Sequence, residues 1–102
     1  MWRWLTIAAL STLLASAVGA DDQWAAGLAD MCAACHGPGG NSPSTVPAIA
    51  ALDATLVQEL LMQFRSGELE NTVMGRIVRG LTNAEIEFLG RHFSEQPAIE
   101  MQ

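Results

Sequence analysis

The spacing of apolar residues along the chain predicts three helices separated by loops. In residues 23–35 apolar side chains recur at intervals of four, three and four, which places them in one stripe along a helix: Trp24, Leu28, Met31 and Cys35. Cys32 lies at the margin of this stripe, one turn before Cys35. The following segment, GPGGNSPSTVP in residues 37–47, is rich in glycine and proline and is predicted to be a loop.

A second helix is predicted for residues 53–66, DATLVQELLMQFRS. Asp53 is a candidate N-cap for this helix, and Gly67 is a candidate C-terminal stop. At about 100° per residue, five apolar side chains fall within one sector of the helix: Leu56, Val57, Leu60, Leu61 and Phe64. Met62 falls on the opposite side, and we therefore expect it to face solvent.

A capping box predicts the start of the third helix. In the segment from Thr82 to Glu85, the threonine and glutamate side chains can each satisfy a free backbone N–H group. The helix that follows places three apolar residues on one face, beside Gly90: Ile86, Leu89 and Phe93. We expect the glycine to let another helix approach closely. Residues 68–81 are predicted to be irregular. No β-strand signal or internal repeat is present in the sequence, so the predicted fold class is all-α.

The first twenty residues have the features of an export signal. Arg3 gives a positive start, an apolar run of about ten residues follows, and small residues precede Asp21. The alternative is a retained membrane anchor, but the apolar run is short for a bilayer span. We therefore expect residues 1–20 to be removed, and residues 21–102 to form a single domain in the periplasm.

The charge balance of the chain excludes several kinds of partner. The net charge is −6, there is no lysine, and removal of Arg3 with the export signal makes the balance more negative. Such a surface repels nucleic acid phosphates and anionic lipid, so we expect neither nucleic acid nor, after signal removal, membrane as a partner. A domain of this size buries only a modest core and gains from a bridge, a metal or a large cofactor.

The segment CAACHG, residues 32–37, contains the candidate chemistry of the chain. A zinc site needs about four protein ligands, or three and a water, whereas the chain has only two cysteines and two histidines. A thioredoxin-like disulfide normally lies at the start of a helix after a strand, but these cysteines come at the end of a helix. The third possibility, covalent haem attachment, has C-x-x-C-H as its signature.

Helical spacing fits this third possibility. Cys32 and Cys35 at positions i and i+3 face the same way and can form thioethers to one porphyrin edge, while His36 presents a ring nitrogen to the iron. We therefore predict one covalent haem c, with His36 as an axial ligand of the iron.

The sixth ligand of the iron is predicted to be Met74. Of the four methionines after residue 20, Met31 lies on the His36 side, Met62 faces solvent, and Met101 lies at the end of the chain. Met74 lies in a stretch predicted to be irregular, which can lie over a haem face, and methionine ligation raises the reduction potential. The alternatives are a methionine that only fills core space and ligation by His92.

Pro47 is a candidate partner of the axial histidine. Such a histidine usually donates its second ring N–H to a backbone carbonyl, and a proline after a Gly/Pro loop holds its carbonyl rigidly. A simple turn residue explains the same proline equally well.

The segments AAGLADMCAACHG, VPAIAAL and MGRIVRGLTNAEIEFLGRHF together resemble a class I c-type cytochrome. The resemblance implies a small fold of three main helices and loops around one covalent haem. It also implies that the Pro47 carbonyl holds His36 and that Met74 is the sixth ligand. The first and last helices would cross near the haem edge, with Trp24 and Leu28 against Leu89 and Phe93.

A longer segment, FRSGELENTVMGRIVRGLTNAEIEFLGRHFSEQ, is similar to the first haem domain of the cytochrome subunit of flavocytochrome c sulfide dehydrogenase. This similarity implies a single-haem electron-transfer subunit that accepts electrons from an FAD-containing subunit and passes them to a soluble acceptor. No catalytic chemistry is then expected on the chain itself. The alternative functions are a free-standing cytochrome c electron shuttle, and a haem enzyme or gas sensor, which would need an open iron site.

Overall fold

The structure, a computed structural model, describes residues 20–70 and 72–100. Four α-helices occur in these ranges: α1 (Ala20–His36), α2 (Ala54–Ser66), α3 (Thr72–Val78) and α4 (Asn83–Ser94). A short 3-10 turn, Pro38–Gly40, follows α1, and the described residues contain no strand. The predicted all-α fold class is therefore confirmed.

Both predicted ends of α2 and the predicted start of α4 are confirmed, because local hydrogen bonds determine them. The Asp53 carboxylate accepts from the Leu56 N–H at 3.0 Å, and Gly67 ends α2 with a left-handed φ of 85°. At α4, the Thr82 hydroxyl accepts from the Glu85 N–H at 3.2 Å. The Glu85 carboxylate accepts from the Thr82 N–H at 2.8 Å, which completes the capping box.

The core is formed mainly by α2 and α4, with contributions from the other helices. Four side chains are almost completely buried: Val78, Ile86, Leu89 and Phe93. Burial of each contributes about 1.5–3 kcal/mol to folding. A Cβ atom at Gly90 would lie 2.7 Å from the Ala54 carbonyl oxygen, so this glycine lets α4 approach α2 closely. Gly90 thus has the packing role that the sequence predicted.

The prediction of an irregular segment at residues 68–81 is wrong for α3. Four of its seven residues are β-branched and have weak helix propensity, Thr72, Val73, Ile77 and Val78, and Gly75 lowers the propensity further. The helix packs against α2, and Val78 is buried in the core. Tertiary packing therefore stabilises a helix that local propensity does not predict. The described residues therefore contain four α-helices, whereas the sequence predicted three.

The apolar stripe predicted for α1 is wrong in most of its members. Leu28 is buried, but Trp24 is 65% exposed, Met31 is exposed, and Cys35 is exposed. The buried face is centred instead on Leu28 and Ala29, with Cys32 packed against the core. In α2, Val57 and Leu61 are buried as predicted, whereas Leu56 is exposed.

α1 and α4 are in contact, but Trp24 does not pack into the core there. Its indole N–H donates to the Glu85 carboxylate at 2.5 Å, across the outside of the two helices. The surrounding groove, about 620 Å³ in volume, is lined by Trp24, Leu28, Glu85 and Phe88 among others.

In the described part of the chain, no helix has the length and apolar character needed to cross a membrane. The predicted export signal, residues 1–20, lies outside the described residues except for Ala20.

Candidate functional site

The two cysteines lie in the last two turns of α1, one turn apart. Cys32 is half-buried against the core, and Cys35 is exposed. Both are free thiols. Burial raises the pKa of the Cys32 thiol above its ordinary value, because the uncharged thiol is favoured where water is excluded. Neighbouring thiols on one face of a helix can attach to two groups on the edge of a single planar molecule.

His36, the last residue of α1, is held by the backbone of Pro47. Its Nδ1 atom lies 2.6 Å from the Pro47 carbonyl oxygen. A carbonyl oxygen can only accept a hydrogen bond, so Nδ1 must carry the proton. The second ring nitrogen, Nε2, then keeps its lone pair for a metal ion. The structure thus brings together two of the predicted site residues that are separated by a loop.

Residues 37–51, which we call the proline loop, connect His36 to the region before α2. The loop is closed at its base, because the Gly40 carbonyl oxygen accepts from the N–H groups of Ile49 at 2.8 Å and Ala50 at 3.1 Å. Gly40 has a φ of 81°, and a Cβ atom there would lie 3.0 Å from the Phe93 ring. The Ala51 N–H donates to the Phe93 carbonyl at 2.9 Å, which fastens the end of the loop to α4.

Asn41 is a residue of this loop that the sequence analysis did not identify. Asn41 is 7% exposed, and the other side chains that are buried in the described part of the chain are apolar. Its Nδ2 group donates to the Pro97 carbonyl at 3.0 Å, and its Oδ1 atom accepts from the Ile99 N–H at 2.8 Å. An asparagine in a Gly/Pro/Ser segment indicates a turn, and nothing in the local sequence indicates partners 56 and 58 residues away.

Met74 lies on α3, where it is half-buried and packs against the core. Cys32 packs against the same core cluster, so both residues border the interior of the domain. Met62 is 41% exposed, as its position on α2 predicted. Val73, which the sequence placed in a loop, lies on α3 and is exposed.

His92 lies on α4 between two aromatic rings. Its ring centroid is 5.6 Å from that of Phe88 and 5.0 Å from that of Phe93, the latter in an edge-to-face arrangement. Aromatic contacts of this kind stabilise packing, and both rings belong to the same helix as His92.

The site differs from one in which protein side chains alone bind a metal ion. In residues 20–70 and 72–100, no group of three or more His, Cys, Asp and Glu side chains could hold a metal ion. A haem iron needs at most two ligands from the protein, because the porphyrin supplies the other four. A pair of free thiols on one helix face, followed by a histidine with an oriented Nε2, fits that requirement.

The chain is similar to two known cytochromes and to one known electron acceptor. No protein-family model matches the chain. The chain is 39% identical over 62 residues to the cytochrome subunit of sulfide dehydrogenase of Chlorobaculum tepidum, which covers 61% of this chain and 56% of that protein. It is 32% identical over 93 residues to the thiosulfate dehydrogenase electron acceptor of Thiomonas intermedia, which covers 87% of this chain and 43% of that protein.

A third relative is matched over most of its own length. The chain is 33% identical over 67 residues to cytochrome c-553 of Desulfomicrobium norvegicum, which covers 63% of this chain and 84% of that protein. The chain therefore spans about half the length of the first two relatives and most of the third.

Proposed function

The chain belongs to the class I c-type cytochromes, and from that premise we propose that it is a periplasmic, single-haem electron acceptor for a flavin-dependent sulfide dehydrogenase. The observation that supports the haem site most strongly is the hydrogen bond between His36 and Pro47, next to two free thiols. The pairing with a sulfide dehydrogenase is supported by the 39% identity to such a cytochrome subunit.

Each residue of the site has a distinct role in this proposal. Cys32 and Cys35 would hold the haem as thioethers, and His36 and Met74 would be the protein ligands of its iron. When bound, the haem supplies reversible one-electron chemistry. Pro47 keeps the His36 ring in one tautomer and one orientation, which makes Nε2 a better electron donor to iron.

The chain accepts and passes on electrons without transforming a substrate. A reduced flavin holds two electrons, and the chain would take them one at a time because a bound haem would supply one-electron chemistry. The exposed position of Cys35 places this part of the site at the protein surface, where a partner can approach. Arg76 and Arg79 are also exposed, on or next to the helix that contains Met74, and are available to haem carboxylates or to a partner.

The proposed partner contact is largely uncharged. Ile49, in the proline loop, and Leu52, directly after the loop, are partly buried against the core, and Val73 is exposed on α3. These apolar side chains suit a fixed interface that excludes water. The chain is acidic overall, with a net charge of −6, and its arginines are too few for a basic docking patch. We therefore expect the association to depend only weakly on salt concentration.

The test is to express the chain together with a candidate FAD-containing sulfide dehydrogenase subunit and to follow haem reduction after sulfide is added. The pair should be reduced quickly, and the cytochrome alone slowly. Equal rates with and without the flavoprotein, or no complex between the two, would contradict the subunit role.

A free-standing electron shuttle is the second candidate. It is favoured by the match to the thiosulfate dehydrogenase electron acceptor, which extends over 87% of the chain. A shuttle forms short-lived complexes with several donors, whereas a subunit co-purifies with one. Gel filtration of the co-expressed proteins separates these two functions, because only a subunit elutes together with the flavoprotein.

A further inference from the structure

The proline loop is attached to the C-terminal end of the domain at both of its sides. On the later side, the Ala51 N–H donates to the Phe93 carbonyl on α4. On the earlier side, Asn41 binds residues 97–99, which we call the C-terminal strap, through its Nδ2 and Oδ1 atoms. The loop segment that contains Pro47 lies between these two attachments.

The Asn41 side chain is suited to a fixed position. Its amide uses both polar atoms at once, with a donor bond of 3.0 Å to Pro97 and an acceptor bond of 2.8 Å from Ile99. A further, longer contact of 3.4 Å joins Nδ2 to the Pro38 carbonyl in the same loop. If the strap moved away, the buried amide of Asn41 would lose these two hydrogen bonds. The free-energy cost of leaving its polar atoms unpaired opposes such movement.

The position of Asn41 links the strap to the axial histidine. Asn41 directly follows Gly40, whose carbonyl accepts from the N–H groups of Ile49 and Ala50. These two residues come two and three positions after Pro47. A shift of Asn41 therefore moves the base of the loop, and the Pro47 carbonyl moves with it. The 2.6 Å hydrogen bond to His36 is short and sensitive to such a shift.

We propose that Asn41 is a positioning residue for His36: it fastens the proline loop to the C-terminal strap and so holds the Pro47 carbonyl against Nδ1 of the histidine. This inference rests on the proposed function, in which Nε2 of His36 binds haem iron. A weaker hydrogen bond at Nδ1 makes the imidazole a poorer electron donor, which disfavours ferric iron and raises the reduction potential.

The chain offers a matched pair of variants at Ile99, whose side chain is 62% exposed. Ile99→Pro removes the N–H that donates to Asn41, because proline has no backbone N–H. Ile99→Ala removes the exposed side chain and keeps that N–H. Asn41→Ala removes both bonds to the strap and serves as the stronger variant.

Two properties of the haem-loaded full-length protein are measured. One is the reduction potential, and the other is the hydrogen–deuterium exchange rate of the His36 Nδ1 proton, followed by NMR on the reduced protein labelled with ¹⁵N-histidine. In Asn41→Ala and Ile99→Pro the potential should rise and exchange should become about tenfold faster. Ile99→Ala should match the wild type in both properties.

The double variant Asn41→Ala/Ile99→Pro tests whether the two residues act together. Because both single changes break the same attachment, the double variant should change the potential no more than Asn41→Ala does. Additive shifts, or an unchanged potential and exchange rate in Asn41→Ala and Ile99→Pro, would overturn the inference while the proposed function stands. A wild-type chain that has no covalent haem would overturn the proposed function itself and this inference with it.

Discussion

Nδ1 of His36 lies 2.6 Å from the carbonyl oxygen of Pro47, so the last residue of α1 is joined to the far side of a loop that begins immediately after it. This bond fixes the tautomer of the histidine, because the carbonyl accepts only from a protonated Nδ1. It leaves Nε2 available for iron.

Replacement of Met74 should change the iron site, whereas replacement of Met62 should not. If Met74 is the sixth ligand, Met74→Ala should erase the absorption band that arises from charge transfer between methionine sulfur and ferric iron. It should also open the iron to cyanide. Met62 is a matched control because it is exposed on α2. Loss of the band in Met62→Ala, with retention in Met74→Ala, would show that the ligand was chosen wrongly.

Replacement of Gly40 should destabilise the domain more than replacement of Gly67. Both glycines have φ angles above +80°, which cost an alanine about 1–2 kcal/mol. A Cβ atom at Gly40 would also lie 2.8 Å from Ile49 and 2.9 Å from the Ala50 nitrogen, whereas Gly67 has open space. We therefore expect Gly40→Ala to cost about 2–4 kcal/mol in total.

Guanidinium unfolding of haem-loaded Gly40→Ala and Gly67→Ala, followed by circular dichroism, measures the free energy of unfolding that each variant loses. A similar decrease in the free energy of unfolding in the two variants would mean that the base of the proline loop has room to adjust. Closure of the loop would then not constrain Pro47.

The contact between Trp24 and Glu85 should contribute to stability in a pH-dependent way. Hydrogen bonds from the Thr82 backbone N–H and from the Trp24 indole lower the pKa of Glu85 below its ordinary value of 4.5. A carboxyl group with a lowered pKa stabilises the fold at pH values above 4.5, and this contribution is lost as the pH falls through the lowered pKa.

Trp24→Phe and Glu85→Gln should each reduce the free energy of unfolding near neutral pH by about 0.5–1 kcal/mol. The two bonds go to different oxygens of the Glu85 carboxylate, so a glutamine in the same position places its NH2 group, which cannot accept, against one of the two N–H donors. The difference from the wild type should narrow as the pH falls below 4.5. Glu87→Gln, an exposed change on the same helix, is the control. A Trp24→Phe loss that is constant across this pH range would contradict the assignment.

Sequence alone predicted those parts of the fold that depend on near neighbours. The caps at Asp53 and Thr82 involve residues only three positions apart, so their signals are visible in the sequence. The buried face of α4 was also predicted, because Ile86, Leu89 and Phe93 follow a helical period.

The remaining features depend on residues far apart in the chain. Trp24 was predicted to be buried, but its position follows from a hydrogen bond to Glu85, 61 residues later. Asn41 was not identified, because its partners lie in the C-terminal strap. Helix α3 was missed because its stability comes from burial against α2 rather than from its β-branched sequence.

The central claim is that Cys32 and Cys35 hold a haem covalently, and the most direct measurement is the mass of the denatured chain. After expression with a haem-attachment system, the denatured protein should keep the mass of one haem and stain for haem on a denaturing gel. Cys32→Ser/Cys35→Ser should lose both signals. A denatured wild-type chain that releases all of its haem would contradict the claim.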